Sequence, residues 1–177
     1  MILVVAGTER ELEGAAGAAT LACGIGPVEA AAATARALTA ARPDALLNVG
    51  LAGRRGFAGC ELVLCSEARY CDAEGPLVPA SARPDAGLLA AARRALPEAH
   101  VLPIGTSARV GGAAGCEIEA MEGFAVLRAA ELHGVPALEL RAVANEVDEP
   151  DRALWRFDEA LALLREALPR VLAELRR

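Results

Sequence analysis

Short apolar runs alternate along the chain with longer segments of helical periodicity, and this alternation limits what the chain can fold into. The predicted strands are Met1–Ala6, Leu21–Cys23, Ala45–Val49, Glu61–Cys65, Val101–Ile104, Glu117–Ala120 and Ala137–Ala144, and the predicted helices are Val28–Ala41, Asp85–Ala95, Phe124–Ala130 and Asp151–Leu175. Continuous apolar runs are typical of strands that helices cover on both faces. We therefore predict an α/β fold of three layers, with a mixed, mostly parallel central sheet between two helical layers. At 177 residues the chain has about the length of one domain, and residues 1–177 are expected to form it.

One carboxylate lies where a predicted strand passes into a predicted helix. In Glu117–Ala120 apolar residues alternate with glutamates, as in a strand, whereas the residues from Phe124 onward have helical spacing. In an α/β protein such a junction lies at the edge of the sheet where ligands bind. Glu122 is therefore the first candidate site residue. A purely structural interpretation also applies, because an acidic residue at the start of a helix complements the helix dipole.

Charge and composition restrict the class of partner. The formal net charge is −6, and all 18 basic residues are arginines that are scattered along the chain. This pattern does not suggest a nucleic-acid-binding surface, so we expect a small-molecule partner. No apolar run reaches the roughly 18 residues of a membrane span. The first apolar run is too short for a signal peptide, and a cytoplasmic protein is expected.

Cysteine and histidine usage argues against a metal site. The five cysteines form no Cys-x-x-Cys pair, their number is odd, and only two histidines are present. A soft metal prefers closely spaced cysteine and histidine ligands, and a disulfide framework prefers an even number of cysteines. We predict no metal and no cofactor, and we interpret the cysteines as small core residues.

Polar or glycine residues follow several predicted strands. Glu9 and Glu11 come shortly after the first strand, Gly50–Gly53 follows Ala45–Val49, and Asn145 ends the strand Ala137–Ala144. Side chains at such positions point toward the ligand-binding edge of the sheet. Ordinary explanations also apply, since Glu11 suits a surface helix and asparagine is a common cap at the end of a strand.

Two further segments have possible roles at a site. Gly24–Gly26 precedes a helix, and backbone N–H groups of such a turn can approach an anion or a sugar. The third glycine of a dinucleotide fingerprint is replaced by Glu29, so dinucleotide binding and an oxidoreductase activity are disfavoured. The proline-rich segment Glu74–Pro84 is predicted to be a loop that covers a site.

Six pieces of sequence, taken together, resemble one family. They are, in chain order, Gly24–Gly26, Pro43–Gly53, Ser66–Asp72, Met121–Glu122, Arg141–Asn145 and Phe157–Ala160. They are similar to the purine nucleoside phosphorylase and nucleosidase superfamily, and within it to the methylthioadenosine/adenosylhomocysteine nucleosidases. This resemblance covers nearly the whole chain. It implies that family's α/β fold, a small-molecule nucleoside as partner, and a homo-oligomer of at least two chains.

The resemblance also implies roles for individual residues. Met121 would lie against the ribose, and Glu122 would hold the ribose hydroxyls and stabilise the positive charge of an oxocarbenium-like transition state. Glu11 would activate the attacking water as general base. Arg141 would fix that water or its neighbouring carboxylate, and Phe157 would pack on the sugar side of the ligand. The substrate-binding set is thus Gly53, Met121, Glu122, Arg141 and Phe157.

Asn145 departs from the adenine-cleaving branch, which has aspartate in that place. A carboxamide oxygen accepts from a protonated purine N7–H, and its NH₂ group donates to a 6-oxo group, so it suits hypoxanthine or guanine. Asn145, Glu146, Val147 and Trp155 together resemble the futalosine hydrolases, which remove hypoxanthine from futalosine in a route to menaquinone. Trp155 also fits an ordinary helix anchor. We predict hydrolysis of a 6-oxopurine nucleoside, futalosine first, with Asn145 stabilising the leaving base.

Other departures leave alternatives open. Leu51 stands where many relatives carry serine, and Asn48 stands in place of the arginine of phosphate-using members, so phosphorolysis is disfavoured. Ala108–Val110 offers no aromatic ring to stack on the base, which makes a second subunit a candidate to close the site. The alternatives are a methylthioadenosine/adenosylhomocysteine nucleosidase, a purine nucleoside phosphorylase, and a nucleoside-binding protein without catalysis.

Overall fold

A computed structural model describes residues 1–73 and 75–177 of the chain. The strands are β1 (Ile2–Ala6), β2 (Ala19–Ala22), β3 (Ala45–Arg54), β4 (Leu62–Tyr70), β5 (Ser81–Ala82), β6 (His100–Thr106), β7 (Ile118–Ala120) and β8 (Ala137–Glu146). The helices are α1 (Pro27–Ala40), α2 (Ala86–Ala95), α3 (Gly123–Leu132) and α4 (Phe157–Leu175), and short 3₁₀ helices span Glu9–Leu12 and Arg152–Leu154.

The strands form a mixed sheet in which parallel pairings predominate. β1 pairs in parallel with β2 and β3, β3 with β8, and β6 with β4 and β7. The antiparallel pairings are β3 with β7, β4 with β5, and β4 with β8. The predicted mixed, mostly parallel sheet is therefore confirmed.

Five of these strands also pair in a closed ring, which the sequence did not predict. β3 pairs with β8 along its length, and its last two residues pair with β7, so β3, β8, β4, β6 and β7 form a ring. The register between β3 and β8 shifts between Ala52 and Gly53. Such an irregularity bends a strand, and the bent end of β3 is the part that reaches β7.

Two apolar clusters lie on opposite faces of the sheet. Leu47 of β3 and Leu138 of β8 belong to the cluster that α2 and α4 cover. Leu46 and Val143, which alternate with them along the same strands, belong to the cluster that α1 and α3 cover. The buried stripe of α4 is Ala160, Leu164, Ala167, Leu168, Val171 and Leu172. This arrangement confirms the three predicted layers.

The predicted elements are in the right places, but several strands are longer than predicted. β3 continues through the glycine-rich residues Gly50–Gly53, because β8 pairs with it up to Arg54. The proline-rich segment contains β5, whose Ser81 pairs with Arg69 of β4. Its first residue, Glu74, lies outside the described residues.

Three negative findings concern the described residues only. None of their helices combines the length and apolarity needed to cross a bilayer. They contain no group of three or more histidine, cysteine, aspartate or glutamate side chains placed to hold a metal ion. All five cysteines are free; Cys23, Cys65 and Cys116 are buried, as predicted for core residues, whereas Cys60 and Cys71 are partly exposed.

Candidate active site

A cavity of about 640 Å³ lies where the chain leaves β1, β6 and β7 and beside inner residues of β3 and β8. Of the seven predicted site residues, the six that line it are Glu11, Gly53, Met121, Glu122, Asn145 and Phe157. Arg141 lies behind the cavity wall and is fully buried. None of residues 75–84 lines the cavity, so the expectation that the proline-rich segment covers it is wrong for the described part of that segment.

Glu122 occupies the predicted strand-to-helix junction. β7 ends at Ala120, α3 begins at Gly123, and the Glu122 side chain is 8% exposed. Its Oε1 accepts a hydrogen bond from the Gly26 N–H at 3.1 Å, and its Oε2 accepts one from Arg141 Nη1 at 3.2 Å. Within the described residues the side chain makes no capping hydrogen bond to its own helix. Complementing the helix dipole is therefore an insufficient explanation for this carboxylate, because partners from two other segments hold it.

The Gly24–Gly26 turn donates a backbone hydrogen bond to a carboxylate of the protein itself, that of Glu122. Gly24 and Gly26 have φ angles of 86° and 96°, a region that glycine adopts readily. This conformation directs the Gly26 N–H at the Glu122 carboxylate rather than at an external phosphate. The turn therefore positions a site residue.

Glu11 is the second carboxylate at the cavity. It lies in the 3₁₀ helix after β1, where its Oε2 accepts from the Thr8 N–H at 2.9 Å and from Thr8 Oγ1 at 2.7 Å. Its Oε1 accepts from the Leu51 N–H of β3 at 2.9 Å. A Cβ atom on Gly7 would lie 3.4 Å from both Glu11 Oε2 and Glu122 Oε1. The two carboxylates therefore flank one point on the cavity wall.

Arg141 lies behind Glu122 and binds it together with a second buried carboxylate, Glu139. Its Nη1 donates to Glu122 and, at 3.4 Å, to the Leu51 carbonyl, while its Nε donates to Glu139 Oε1 at 2.8 Å. Burial alone would lower the pKa of the guanidinium, but the Glu139 and Glu122 carboxylates outweigh burial and raise that pKa above its usual value. A Cβ on Gly50 would overlap the guanidinium and lie 2.7 Å from Glu11 Oε1, so β3 requires glycine there.

Asn145 lines the cavity from within β8 and is 6% exposed. Its Nδ2 donates to the Glu146 carbonyl at 2.9 Å. A carboxamide has two N–H donors, so one N–H and the side-chain oxygen remain for a ligand. Gly53 faces it across the strand pair, and a Cβ there would lie 3.1 Å from Asn145 Nδ2. The glycine at position 53 thus leaves room for the carboxamide.

Aromatic side chains form another part of the wall. The rings of Trp155 and Phe157 have centroids 5.4 Å apart at an interplanar angle of 57°, and both line the cavity. Trp155 Nε1 donates to the Glu149 carbonyl at 3.1 Å, and the Arg152 guanidinium lies 5.4 Å from the Trp155 ring centroid. Trp155 is therefore both an anchored side chain and a wall residue.

Residues 15–177 match the family described as the phosphorylase superfamily. The chain belongs to the phosphorylase superfamily. The resemblance inferred from the six sequence pieces is therefore confirmed.

Two curated relatives of this superfamily member are futalosine hydrolases. The protein of Streptomyces coelicolor is 61% identical over 54 residues, which are 30% of this chain and 23% of that protein. The protein of Thermus thermophilus is 47% identical over 60 residues, which are 34% of this chain and 27% of that protein. The matched stretches thus span about a quarter of each relative.

Solved structures share the fold over nearly the whole length of this chain. A 5′-methylthioadenosine/S-adenosylhomocysteine nucleosidase of Colwellia psychrerythraea, in complex with adenine, has a TM-score of 0.81 and 22% identity, and the match covers 98% of this chain and 95% of that one. A futalosine hydrolase mutant of Helicobacter pylori has a TM-score of 0.83 and 16% identity, with coverage of 98% and 97%. At these identities the likeness establishes the nucleosidase-like fold of the superfamily.

One buried residue of this superfamily member was missed as part of the cavity wall. Glu119 is 5% exposed and lines the cavity, and its carboxylate accepts from the Gly111 N–H at 2.5 Å and the Ala113 N–H at 2.8 Å. It thereby holds the loop after β6, whose residues 108–110 line the cavity without an aromatic ring, as the sequence predicted. The sequence carried no signal for this role, because Glu119 alternates with apolar residues as a surface glutamate of a strand does. The alternation of Glu117–Ala120 was interpreted only as a strand pattern.

Proposed function

We propose that the chain hydrolyses the N-ribosidic bond of a 6-oxopurine nucleoside, with futalosine as the first substrate and hypoxanthine as the released base. One observation carries this proposal. Two carboxylates, Glu11 and Glu122, are held by backbone N–H groups and flank one point of a cavity whose wall also contains Asn145. The local similarity to two futalosine hydrolases supports the choice of substrate.

In this mechanism Glu11 accepts a proton from water, and the water oxygen forms a bond to C1′ of the ribose. The bond from C1′ to N9 breaks and its electron pair leaves with the purine. Solvent supplies the proton that the departing base takes up at N7, and Glu11 returns the proton of the attacking water to solvent. Asn145 accepts from N7–H through its oxygen and donates to the 6-oxo group through its free N–H. Glu122 accepts from the ribose hydroxyls and stabilises the positive charge that develops on the sugar.

The remaining predicted residues would orient the sugar. Met121 and Phe157 line the cavity and supply apolar contacts on the ribose side. Arg141 holds Glu122 from behind the wall rather than touching the ligand. Gly53 leaves room for the Asn145 carboxamide. The proposed reaction requires neither a metal nor a cofactor.

Hydrolysis is favoured over phosphorolysis by the charges near the carboxylates. The Arg141 guanidinium is already engaged by Glu122 and Glu139, so it is a poor partner for a phosphate. Leu51 presents an apolar side chain to the cavity, and Asn48 is fully buried and does not line it. We further propose that the chain acts in the cytoplasm as a homo-oligomer and serves menaquinone biosynthesis, with a second subunit closing the side of the cavity beside residues 108–110.

The test is chromatographic detection of free base after incubation of the purified protein with futalosine, inosine or methylthioadenosine in phosphate-free buffer. Hypoxanthine from futalosine is the expected result. Adenine from methylthioadenosine would instead assign the chain to the adenine-cleaving nucleosidases, and release that requires added phosphate would assign it to the phosphorylases. Calorimetric binding of a nucleoside without release of base would identify a non-catalytic binding protein.

A further inference from the structure

Glu139 is a buried carboxylate that the proposed mechanism does not use. It lies on β8 two residues before Arg141, its exposure is 0%, and it does not line the cavity. Burying a carboxylate is costly unless a partner of opposite charge compensates it. The ion-pair partner that the described residues provide is Arg141, through Nε and Glu139 Oε1 at 2.8 Å.

The structure makes room for Glu139 at the start of α3. A Cβ on Gly123, the first residue of that helix, would lie 2.6 Å from the carboxyl carbon of Glu139. The amino end of a helix carries partial positive charge and favours a nearby carboxylate. Cys65 adds no competing charge. Its burial, and to a lesser extent the Glu139 carboxylate, raise the pKa of its thiol well above the usual range.

The guanidinium of Arg141 is thereby divided between two carboxylates. A guanidinium can bind one carboxylate through two parallel hydrogen bonds, but here Glu139 takes Nε. Glu122 receives a single hydrogen bond from Nη1, which at 3.2 Å is longer than the 2.8 Å contact with Glu139. Among the described residues the buried Nη2 makes no hydrogen bond, so Glu122 is paired with Arg141 through Nη1 alone.

We propose that Glu139 is a positioning residue that keeps Glu122 available to the ligand. It fixes the guanidinium through Nε, so that Nη1 alone reaches Glu122, and it offsets part of the positive charge of Arg141. Glu122 then retains acceptor capacity and negative charge toward the ribose, where positive charge develops in the reaction. The inference rests on the proposed role of Glu122 in nucleoside hydrolysis.

The test compares Glu139→Gln with the unmodified chain. Glutamine keeps an oxygen for Arg141 Nε but removes the negative charge, so Arg141 neutralises Glu122 more fully. We expect kcat for futalosine to fall on the order of tenfold to a hundredfold, the size of one charge-assisted hydrogen bond, with a smaller change in KM. Binding of a cationic iminoribitol nucleoside analogue should weaken more than binding of the corresponding neutral nucleoside.

A second comparison separates positioning from stability. In the Glu122→Gln background, Glu139→Gln should cause no further loss of analogue binding, because it acts through Glu122. Glu139→Asp keeps the charge but is too short to hold Nε, and it should lose turnover to a similar extent. Glu98→Gln, which removes one carboxylate from a half-exposed pair with Arg170, is the matched control and should retain full activity.

The outcomes decide between the two roles. Wild-type kcat and analogue affinity in folded Glu139→Gln would overturn the proposal, and so would equal losses of analogue binding in the presence and absence of Glu122. Failure of both Glu139 variants to fold, judged by circular dichroism, would assign this residue to stability alone and would also overturn it. Absence of base release by the unmodified chain would instead refute the proposed function.

Discussion

Replacing Glu122 by glutamine changes one oxygen to an NH₂ group and removes one negative charge while keeping the shape of the side chain. Both oxygens already accept hydrogen bonds, one from the Gly26 N–H and the other from Arg141 Nη1. The new NH₂ group must therefore face one of these donors. An unpaired buried polar group costs about 1–3 kcal/mol. Arg141 keeps Glu139 as its partner. The loss of unfolding free energy should therefore stay below the roughly 3–5 kcal/mol expected when a buried charge is left unpaired.

The effect on activity should be larger than the effect on stability. In the proposed mechanism the variant loses the charge that stabilises the oxocarbenium-like transition state, and removing one such preorganised group typically lowers kcat by about 10²–10³. We expect at least about a hundredfold fall in base release, measured by chromatography. For a chain of this length, about 2–4 °C of melting temperature is expected per kcal/mol lost, measured by circular dichroism.

Glu117→Gln is the matched control for this substitution. Glu117 lies in the same stretch, its side chain is 47% exposed, and it pairs with Arg54 away from the cavity wall. Exposed pairs contribute about 0–1 kcal/mol, so turnover should be unchanged and the melting temperature nearly so. Wild-type turnover in a folded Glu122→Gln variant would refute the reasoning and remove Glu122 from the mechanism.

Three other changes test neighbouring parts of the site. Asn145→Asp should shift the released base from hypoxanthine toward adenine, which chromatography of the products measures, and an unchanged preference would contradict the assigned role. The variant should also lose about 1–3 kcal/mol of unfolding free energy, because an ionised carboxylate cannot donate to the Glu146 carbonyl. Gly50→Ala should destabilise the fold by about 1–3 kcal/mol in urea unfolding and abolish base release, because its Cβ would lie 2.7 Å from Glu11 Oε1; normal activity would contradict the observed packing. Burial, and to a lesser extent the Glu122 carboxylate, raise the pKa of the Cys23 thiol from 9.0 to about 11. As the pH rises, this thiol ionises in the unfolded chain before it ionises in the folded chain, so its contribution to stability is present below pH 9 and is lost toward pH 11. Cys23→Ala should show a smaller fall in unfolding free energy over that range, and an identical fall would exclude Cys23 as its source.

Much of the fold and the residue types of the site could be predicted from the sequence. The junction that carries Glu122 was predictable because a strand period of two and a helical spacing meet within ten residues. Asn145 and Glu11 were predictable as candidates because polar residues follow apolar strands. The full lengths of β3 and β4 could not be predicted. Glycine and polar residues such as Gly50 and Glu67 interrupt the apolar pattern of these strands but remain paired with neighbouring strands.

The partners of these side chains could not be predicted in the same way. Glu122 accepts from Gly26, 96 positions away, and Glu11 accepts from Leu51, 40 positions away. Local periodicity contains no information about such contacts, because they depend on strand order and on the ring that β3 closes with β7. Glu119 and Glu139 illustrate this limit, since both follow strand spacing and only their buried partners distinguish them from surface glutamates.

The sequence by itself determined which segments become strands and helices and which residue types stand at their ends, because backbone preference and amphipathic spacing act over a few residues. Only the tertiary structure decided that one guanidinium, Arg141, is divided between Glu122 and Glu139. That division depends on distances between segments and on space left by glycines such as Gly50 and Gly123. Charges interact through space, so their arrangement follows from packing rather than from order along the chain.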